Sequence, residues 1–149
     1  MKHSIGNYFQ YTENLSAGAQ PTPNQILDLM ADGYQVIVNI SPSSSRNALA
    51  NEAALVEHAG MYYAFFPVDC GNLQPIHYLT FAGIMNGVKD QKVFVHCGGN
   101  IKSSNLLHMW DVLANGKDEQ ESLQTLYKIQ RPENKWFDYF KQMGMKGIR

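Results

Sequence analysis

The sequence has few of the features that mark specialised classes of protein. Only two cysteines, Cys70 and Cys97, occur in 149 residues. They are too few for a disulfide scaffold and lack the paired spacing of a zinc site. No window approaches the roughly 18 apolar residues of a membrane-spanning helix. The net charge is -1, without a run of like charges, so nucleic acid and anionic membranes are not expected as partners. Any anion site must therefore be local.

The composition that remains suits a globular protein. Hydrophobic residues make up 44% of the chain and charged residues 17%, which predicts a single domain over residues 1–149 with one core. The segment from Met1 to Gly6 has no apolar stretch of a signal peptide, so the cytoplasm is the default expectation. A trimmed signal peptide would leave the same sequence, which keeps the periplasm as an alternative. The sequence carries no signal for the oligomeric state.

Helix and strand patterns alternate over the first two thirds of the chain. A capping box at Thr22 and Gln25 begins the first helix, Gly33 ends it, and Leu79 with Ile84 to Val88 forms the apolar stripe of a later one. The predicted strands are residues 8–12, 15–17, 34–40, 61–66 and 92–96, and the predicted helices are 22–33, 47–59, 75–88, 104–115, 118–130 and 133–143. This order predicts an α/β fold with a central, mostly parallel sheet of about five strands, flanked by helices and followed by a C-terminal helical segment.

Three loops that follow strands contain the most reactive side chains. They are Ser41 to Arg46, Asp69-Cys70, and Cys97 to Ser104. Because ligands collect at the carboxyl ends of parallel strands, we expect these loops to converge.

Cys97 lies directly between a β-rich strand and an amphipathic helix. Gly98-Gly99-Asn100 can adopt the unusual backbone angles that point successive N–H groups at one centre. The helix predicted from Ser104 adds its positive N-terminal end, which would also hold Cys97 as a thiolate. The expected partner is a phosphate-like oxyanion or a phosphorylated substrate. The histidines have no metal-ligand spacing, so neither a metal nor another cofactor is expected.

The segment from His96 to Ser104 resembles the signature of the cysteine-dependent protein tyrosine and dual-specificity phosphatases. That signature is His-Cys, five residues, Arg, and then Ser or Thr. His96, Cys97 and Ser104 match it, whereas Ser103 occupies the arginine position and Lys102 precedes it.

The resemblance extends over roughly residues 8–113. Ala19 to Thr22, Val36 to Ile40 and Pro67 to Asp69 are similar to a bacterial branch of phosphatase-like domains, some of them fused to metallo-hydrolase or persulfide dioxygenase domains. That branch is expected to have an arginine where this chain has Ser41. Arg46, in the same loop, is the nearest guanidinium that could replace it.

The resemblance implies a dual-specificity-phosphatase-like fold and a role for each matching residue. Cys97 would be the nucleophile, Asp69 the general acid for the leaving oxygen, and Ser104 the hydroxyl that helps the thiolate leave. His96 would order the loop by hydrogen bonding. The anion would be bound by Gly98, Gly99, Asn100, Ile101, Lys102 and Ser103, with Arg46 as an additional basic group.

The missing arginine predicts weak activity on ordinary phosphoesters. A phosphatase arginine donates two charge-assisted hydrogen bonds to the transferring phosphoryl group, which neither serine nor lysine reproduces. At roughly 1.5–3 kcal/mol each, their loss removes about 3–6 kcal/mol of transition-state binding. That is roughly two to four powers of ten in rate.

Other interpretations stay open at this point. Cys97 could carry a persulfide, as in rhodanese-like sulfurtransferases, or the chain could be a non-catalytic phosphate-binding regulatory module. Asp69 also suits a turn or a helix cap. Cys70 suits a small apolar filler, or a redox partner that forms a reversible disulfide with Cys97.

Overall fold

The computed structural model of the protein describes residues 3–149. Met1 and Lys2, which belong to the segment considered for a signal peptide, lie outside this range. The strands are β1 (Phe9–Thr12), β2 (Leu15–Gly18), β3 (Val36–Asn39), β4 (Tyr62–Phe65) and β5 (Val93–His96). The helices are α1 (Pro23–Ala31), α2 (Glu52–His58), α3 (Pro75–Val88), α4 (Ile101–Leu113), α5 (Glu119–Tyr127) and α6 (Asn134–Gln142).

The strands form one sheet in the order β1-β2-β5-β3-β4. The β1–β2 pair is antiparallel, whereas β2–β5, β5–β3 and β3–β4 are parallel. Every residue of β3 and β5 is buried, as expected of parallel strands that helices cover on both faces. The predicted α/β class, the mostly parallel five-stranded sheet and the C-terminal helices are confirmed.

The two faces of the sheet support separate hydrophobic clusters. Helices α1 and α2 cover one face, where Ile37 and Phe94 are buried. Helices α3 to α6 cover the other face, where Val38 and Val95 are buried. Because successive strand residues alternate in direction, the end of β5 sends neighbouring side chains to opposite faces. The His96 ring stacks on Phe94, whereas Cys97 packs in the cluster of the other face.

Two predicted helix starts were wrong. Helix α2 begins at Glu52 instead of residue 47, since turns held by Ser45 N–H to Pro42 O and Ala48 N–H to Ser45 O occupy the preceding segment. Helix α4 begins at Ile101, three residues before the predicted start, because a left-handed residue at position 100 reverses the chain directly into the helix. The second correction places Lys102, Ser103 and Ser104 in the first turn of α4.

The apolar stripe predicted for α3 was partly wrong. Leu79 is 57% exposed, and the buried residues are Tyr78, Phe81 and Met85. The backbone N–H of Tyr78 donates to the Tyr139 hydroxyl of α6, 3.0 Å away, which ties the start of α3 to α6. No helix within residues 3–149 has the length and apolarity to cross a membrane.

Candidate active site

The segments that follow β3, β4 and β5 leave the sheet side by side. The Ile40 N–H donates to His96 O at 3.0 Å, and the Val68 N–H donates to Ile40 O at 2.9 Å. The loop after β3 also approaches the Cys97 loop, defined as Cys97 to Ser104. A Cβ atom on Gly98 would lie only 3.3 Å from Ser45 Oγ, so glycine permits this close approach.

The backbone of the Cys97 loop is held mainly by residues from the start of the chain. Gln20 N–H donates to Gly98 O at 3.2 Å, and the Asn7 side chain donates to Gly99 O at 3.1 Å. The Asn100 side chain donates to Asn7 O at 3.0 Å. Among Gly98, Gly99 and Asn100, which were expected to adopt unusual angles, only Asn100 has a positive φ, of 65°. The two glycines instead lie against the segment around Gln20.

Helix α4 begins within the Cys97 loop, four residues after Cys97. The first N–H groups of a helix lack intrahelical partners and carry a partial positive charge. The Asn100 side chain makes no capping hydrogen bond to them, which leaves the N–H groups around Ile101 to Ser103 without a side-chain cap. The Cys97 thiol is free and only 2% of the residue is exposed. This end of α4 can therefore bind a small anion beside a nearly buried thiol.

The basic groups considered as substitutes for the arginine do not contact the loop through their side chains. Ser103, at the arginine position, is fully buried, and its hydroxyl has no hydrogen-bond partner within residues 3–149. Lys102 is partly exposed on the first turn of α4, and Arg46 is exposed. In the described part of the chain, neither forms an ion pair or donates a side-chain hydrogen bond to residues 97–104.

The Ser104 hydroxyl is engaged on both sides. It donates to Asn100 O at 2.5 Å and accepts from Gln130 Nε2 at 2.6 Å. Gln130 Nε2 also donates to Ile101 O at 2.8 Å. The Ser104 proton is thus directed at a backbone carbonyl, and Gln130, which sequence reasoning missed, ties the segment after α5 to the first turn of α4.

Asp69 and Cys70 follow Val68 at the edge of the site. Asp69 is exposed, and its Oδ1 accepts the Gly71 N–H at 2.9 Å, a turn geometry that aspartate often adopts. Cys70 is half-buried and lines a cavity of about 200 Å³ together with Leu73 and Tyr139. Both cysteines are free, and the disulfide between Cys70 and Cys97 stays a prediction.

His96 is completely buried and hydrogen-bonded through both ring nitrogens. Its Nε2 lies 2.6 Å from Glu52 Oε2, and its Nδ1 lies 3.2 Å from Cys97 O. Gln20 Nε2 donates to the other oxygen of Glu52 at 2.6 Å. Burial by itself would raise the pKa of Glu52, but the hydrogen bond and charge of His96, with hydrogen bonds from Gln20 and Tyr63, outweigh burial and lower it. Glu52 is therefore ionised.

Glu52 is the second residue that sequence reasoning missed, although a signal for it was present. It lies four residues before Val56, and positions four apart share a helix face. Because Val56 is an apolar residue in the predicted helix 47–59, this spacing places an acidic side chain on the apolar face of the helix. An acid on a buried face needs a partner, and the structure shows that this partner is His96. Within residues 3–149, no group of three or more His, Cys, Asp and Glu side chains could hold a metal ion.

No family model matches the sequence, and no curated protein matches it significantly. Solved structures do match. A protein from Shewanella putrefaciens CN-32, described as a putative phosphatase (DUF442), is 25% identical with a TM-score of 0.81, and the match covers 94% of this chain and 90% of that one.

Two more distant matches show the same fold. TpbA from P. aeruginosa, in complex with pTyr, is 15% identical with a TM-score of 0.72, covering 95% of this chain and 85% of that one. Kinase associated phosphatase, in a form whose catalytic site cysteine is replaced by serine, is 13% identical with a TM-score of 0.68, covering 87% and 86%.

Proposed function

We propose that this chain, which belongs by its fold to the cysteine-dependent protein tyrosine and dual-specificity phosphatase superfamily, hydrolyses phosphoric monoesters through a phosphocysteine at Cys97. One observation carries the proposal. A nearly buried thiol lies at the end of the central strand, directly before the N-terminus of α4, which no side chain caps. Helix N-termini of this kind bind phosphate and favour the thiolate.

The reaction has two steps. The Cys97 thiolate attacks phosphorus and forms the S–P bond while the ester P–O bond breaks, and a carboxylic acid protonates the departing oxygen. Water then attacks phosphorus while the same carboxylate, now ionised, accepts a proton from it, the S–P bond breaks, and the electron pair returns to sulfur as the thiolate. The N–H groups at the start of α4 and the helix dipole stabilise the equatorial oxygens.

Asp69 is the proposed acid, and the resemblance of Pro67 to Asp69 to the phosphatase-like branch supports this role. Its exposed carboxylate uses Oδ1 to accept the Gly71 N–H, which leaves Oδ2 for the leaving group. Ser104 is proposed to assist departure of the thiolate. For that step its proton must leave Asn100 O, and the hydrogen bond from Gln130 keeps the hydroxyl in place while it rotates.

The proposed enzyme is slow on ordinary aryl phosphates. Ser103 places a short neutral hydroxyl where an arginine fork would hold two phosphoryl oxygens, and neither Lys102 nor Arg46 donates a hydrogen bond to the loop within residues 3–149. The compared structures are described as phosphatases, so they do not favour the sulfurtransferase or the regulatory alternative.

Steady-state turnover of an aryl phosphate by the purified chain tests this proposal. We expect slow hydrolysis by the unmodified protein and none by Cys97→Ser, since a serine hydroxyl is a far weaker nucleophile than a thiolate. Cys70→Ser makes the same replacement at the other cysteine and serves as the control, with activity retained. If Cys97→Ser were as active as the unmodified protein, Cys97 would not be the nucleophile. If the unmodified protein had a rate typical of efficient phosphatases and Cys97→Ser lost it, the conclusion that Ser103 slows the reaction would be wrong.

A further inference from the structure

A chain of hydrogen bonds connects the edge strand β4 with the backbone of Cys97. Tyr63 of β4 accepts a hydrogen bond from Asn39 Nδ2 at 2.9 Å and is hydrogen-bonded to Glu52. Glu52 contacts His96, and His96 contacts Cys97 O. The other members of this hydrogen-bonded series, Asn39, Glu52, His96 and Cys97, are each more than nine-tenths buried. Buried polar networks of this kind act on a site as units.

The partners of His96 determine its protonation. A carbonyl oxygen has no proton, so Nδ1 must donate to Cys97 O. The 2.6 Å contact of Nε2 with an ionised carboxylate is short, as in charge-assisted hydrogen bonds. A ring that donates through both nitrogens would be an imidazolium, with Glu52 as its counterion.

We propose that Glu52 is a positioning residue that keeps His96 doubly protonated and thereby favours the thiolate of Cys97. The inference rests on the proposed function, because it gives Glu52 a role in activating Cys97 as the nucleophile. Without the carboxylate, a buried imidazolium would have no counterion and would lose its Nε2 proton. The cation that contacts the Cys97 carbonyl oxygen would then be gone, although the loop backbone would still be held by Gln20 and Asn7.

The groups around the pair do not supply another counterion. Within residues 3–149, His96 is the only cation within 4.0 Å of the Glu52 carboxylate. Gln20 and Phe94, from the segments on either side, are neutral. Tyr63 stays protonated, since burial raises its pKa to about 12. The Cys97 thiol packs on the other face of the sheet, and Cys97 contacts the pair through its backbone carbonyl oxygen.

Nitrogen NMR of the unmodified protein tests the protonation directly. In ¹⁵N-labelled protein at neutral pH we expect both ring nitrogens of His96 to be protonated, with the ring assigned through correlations to its own backbone. A ring protonated at one nitrogen only would overturn the proposal. This measurement needs neither turnover nor a variant.

Titration of the Cys97 thiol tests the effect of Glu52. Thiolate absorbance in the ultraviolet is followed against pH, and the signal of Cys97→Ser is subtracted to remove Cys70. We expect Glu52→Gln to move the Cys97 titration upward by about one pH unit. Glu57→Gln, an exposed replacement on the same helix, should not move it. An unchanged or lower titration in a folded Glu52→Gln would overturn the proposal, and if that variant fails to fold the NMR result decides.

The two proposals fail in different ways. Shifted thiol titration in a protein that does not hydrolyse phosphoesters would retain the Glu52 assignment and reject the phosphatase. Turnover that depends on Cys97, together with a singly protonated His96, would retain the phosphatase and reject the Glu52 assignment.

Discussion

At the scale of single residues, Ser103 is the position where the proposed site differs most from an efficient phosphatase. Its hydroxyl is fully buried and has no partner in the described part of the chain. A short polar side chain without a partner leaves hydrogen-bonding capacity unused at the start of α4. The resemblance places a guanidinium there, whose two parallel N–H groups match two phosphoryl oxygens.

We therefore predict that Ser103→Arg increases kcat/KM for an aryl phosphate by roughly tenfold or more. Ser103→Lys is the matched control, because its ammonium supplies the charge without the two parallel N–H groups of a guanidinium. Its kcat/KM should therefore increase less. Turnover is measured after circular dichroism has shown that both variants are folded. No gain in either folded variant would mean that Ser103 does not limit the rate, and equal gains would mean that charge is sufficient without the paired N–H groups of arginine.

At the scale of elements, the start of α4 depends on a contact from outside the helix. Gln130 Nε2 donates both to Ile101 O and to the buried Ser104 hydroxyl, and it lies beyond the end of α5. We predict that Gln130→Ala lowers the free energy of unfolding by about 1–2 kcal/mol, since one exposed and one partly buried hydrogen bond are lost.

Urea denaturation measures this loss. Gln124→Ala, an exposed replacement within α5, is the control and should stay within about 0.5 kcal/mol of the unmodified protein. If the two variants were equally stable, Gln130 would not be anchoring the first turn of α4.

The elements were predictable from sequence where local signals determine them. The Thr22 and Gln25 capping box forms as expected, and Gly33 ends α1 with a φ of 87°. Helix α4 was placed too late because Gly98, Gly99 and Asn100 can all adopt unusual backbone angles, and the sequence does not show that Asn100 alone is left-handed and begins the helix. Glu52 and Gln130 were missed because their partners, His96 and Ser104, are 44 and 26 residues away, and no local pattern reports a contact over that distance.

At the scale of the whole molecule, a buried histidine couples stability to pH. His108 of α4 is buried among α4, α5 and α6, its Nδ1 lies 2.6 Å from Ser122 Oγ, and its ring packs edge-on to Phe140. Burial lowers the pKa of His108 from 6.5 to about 4. The unfolded chain therefore binds the proton at a higher pH than the folded protein does.

The sign follows from linkage. The stability contribution of neutral His108 is complete above about pH 6.5 and is lost as the pH falls toward 4, by about 1.4 kcal/mol per pH unit. We predict that His108→Gln, which can keep the hydrogen bond to Ser122, has a flatter dependence of unfolding free energy on pH in this window. His58→Gln, at an exposed histidine of α2, should keep the original slope. The same slope in His108→Gln and the unmodified protein would contradict the assignment.

The central claim is that the fold presents Cys97 as a nucleophile toward phosphorus, and the covalent intermediate tests it most directly. Asp69→Asn keeps the exposed turn oxygen but removes the proposed acid. The unmodified protein and this variant are mixed with an activated aryl phosphate, whose leaving group departs without an acid, quenched in acid, digested and examined by mass spectrometry. The proposal predicts a phosphoryl group on the peptide that contains Cys97 and none on the peptide that contains Cys70. A sulfur adduct on Cys97, or an unmodified Cys97 peptide at every quench time, would contradict it.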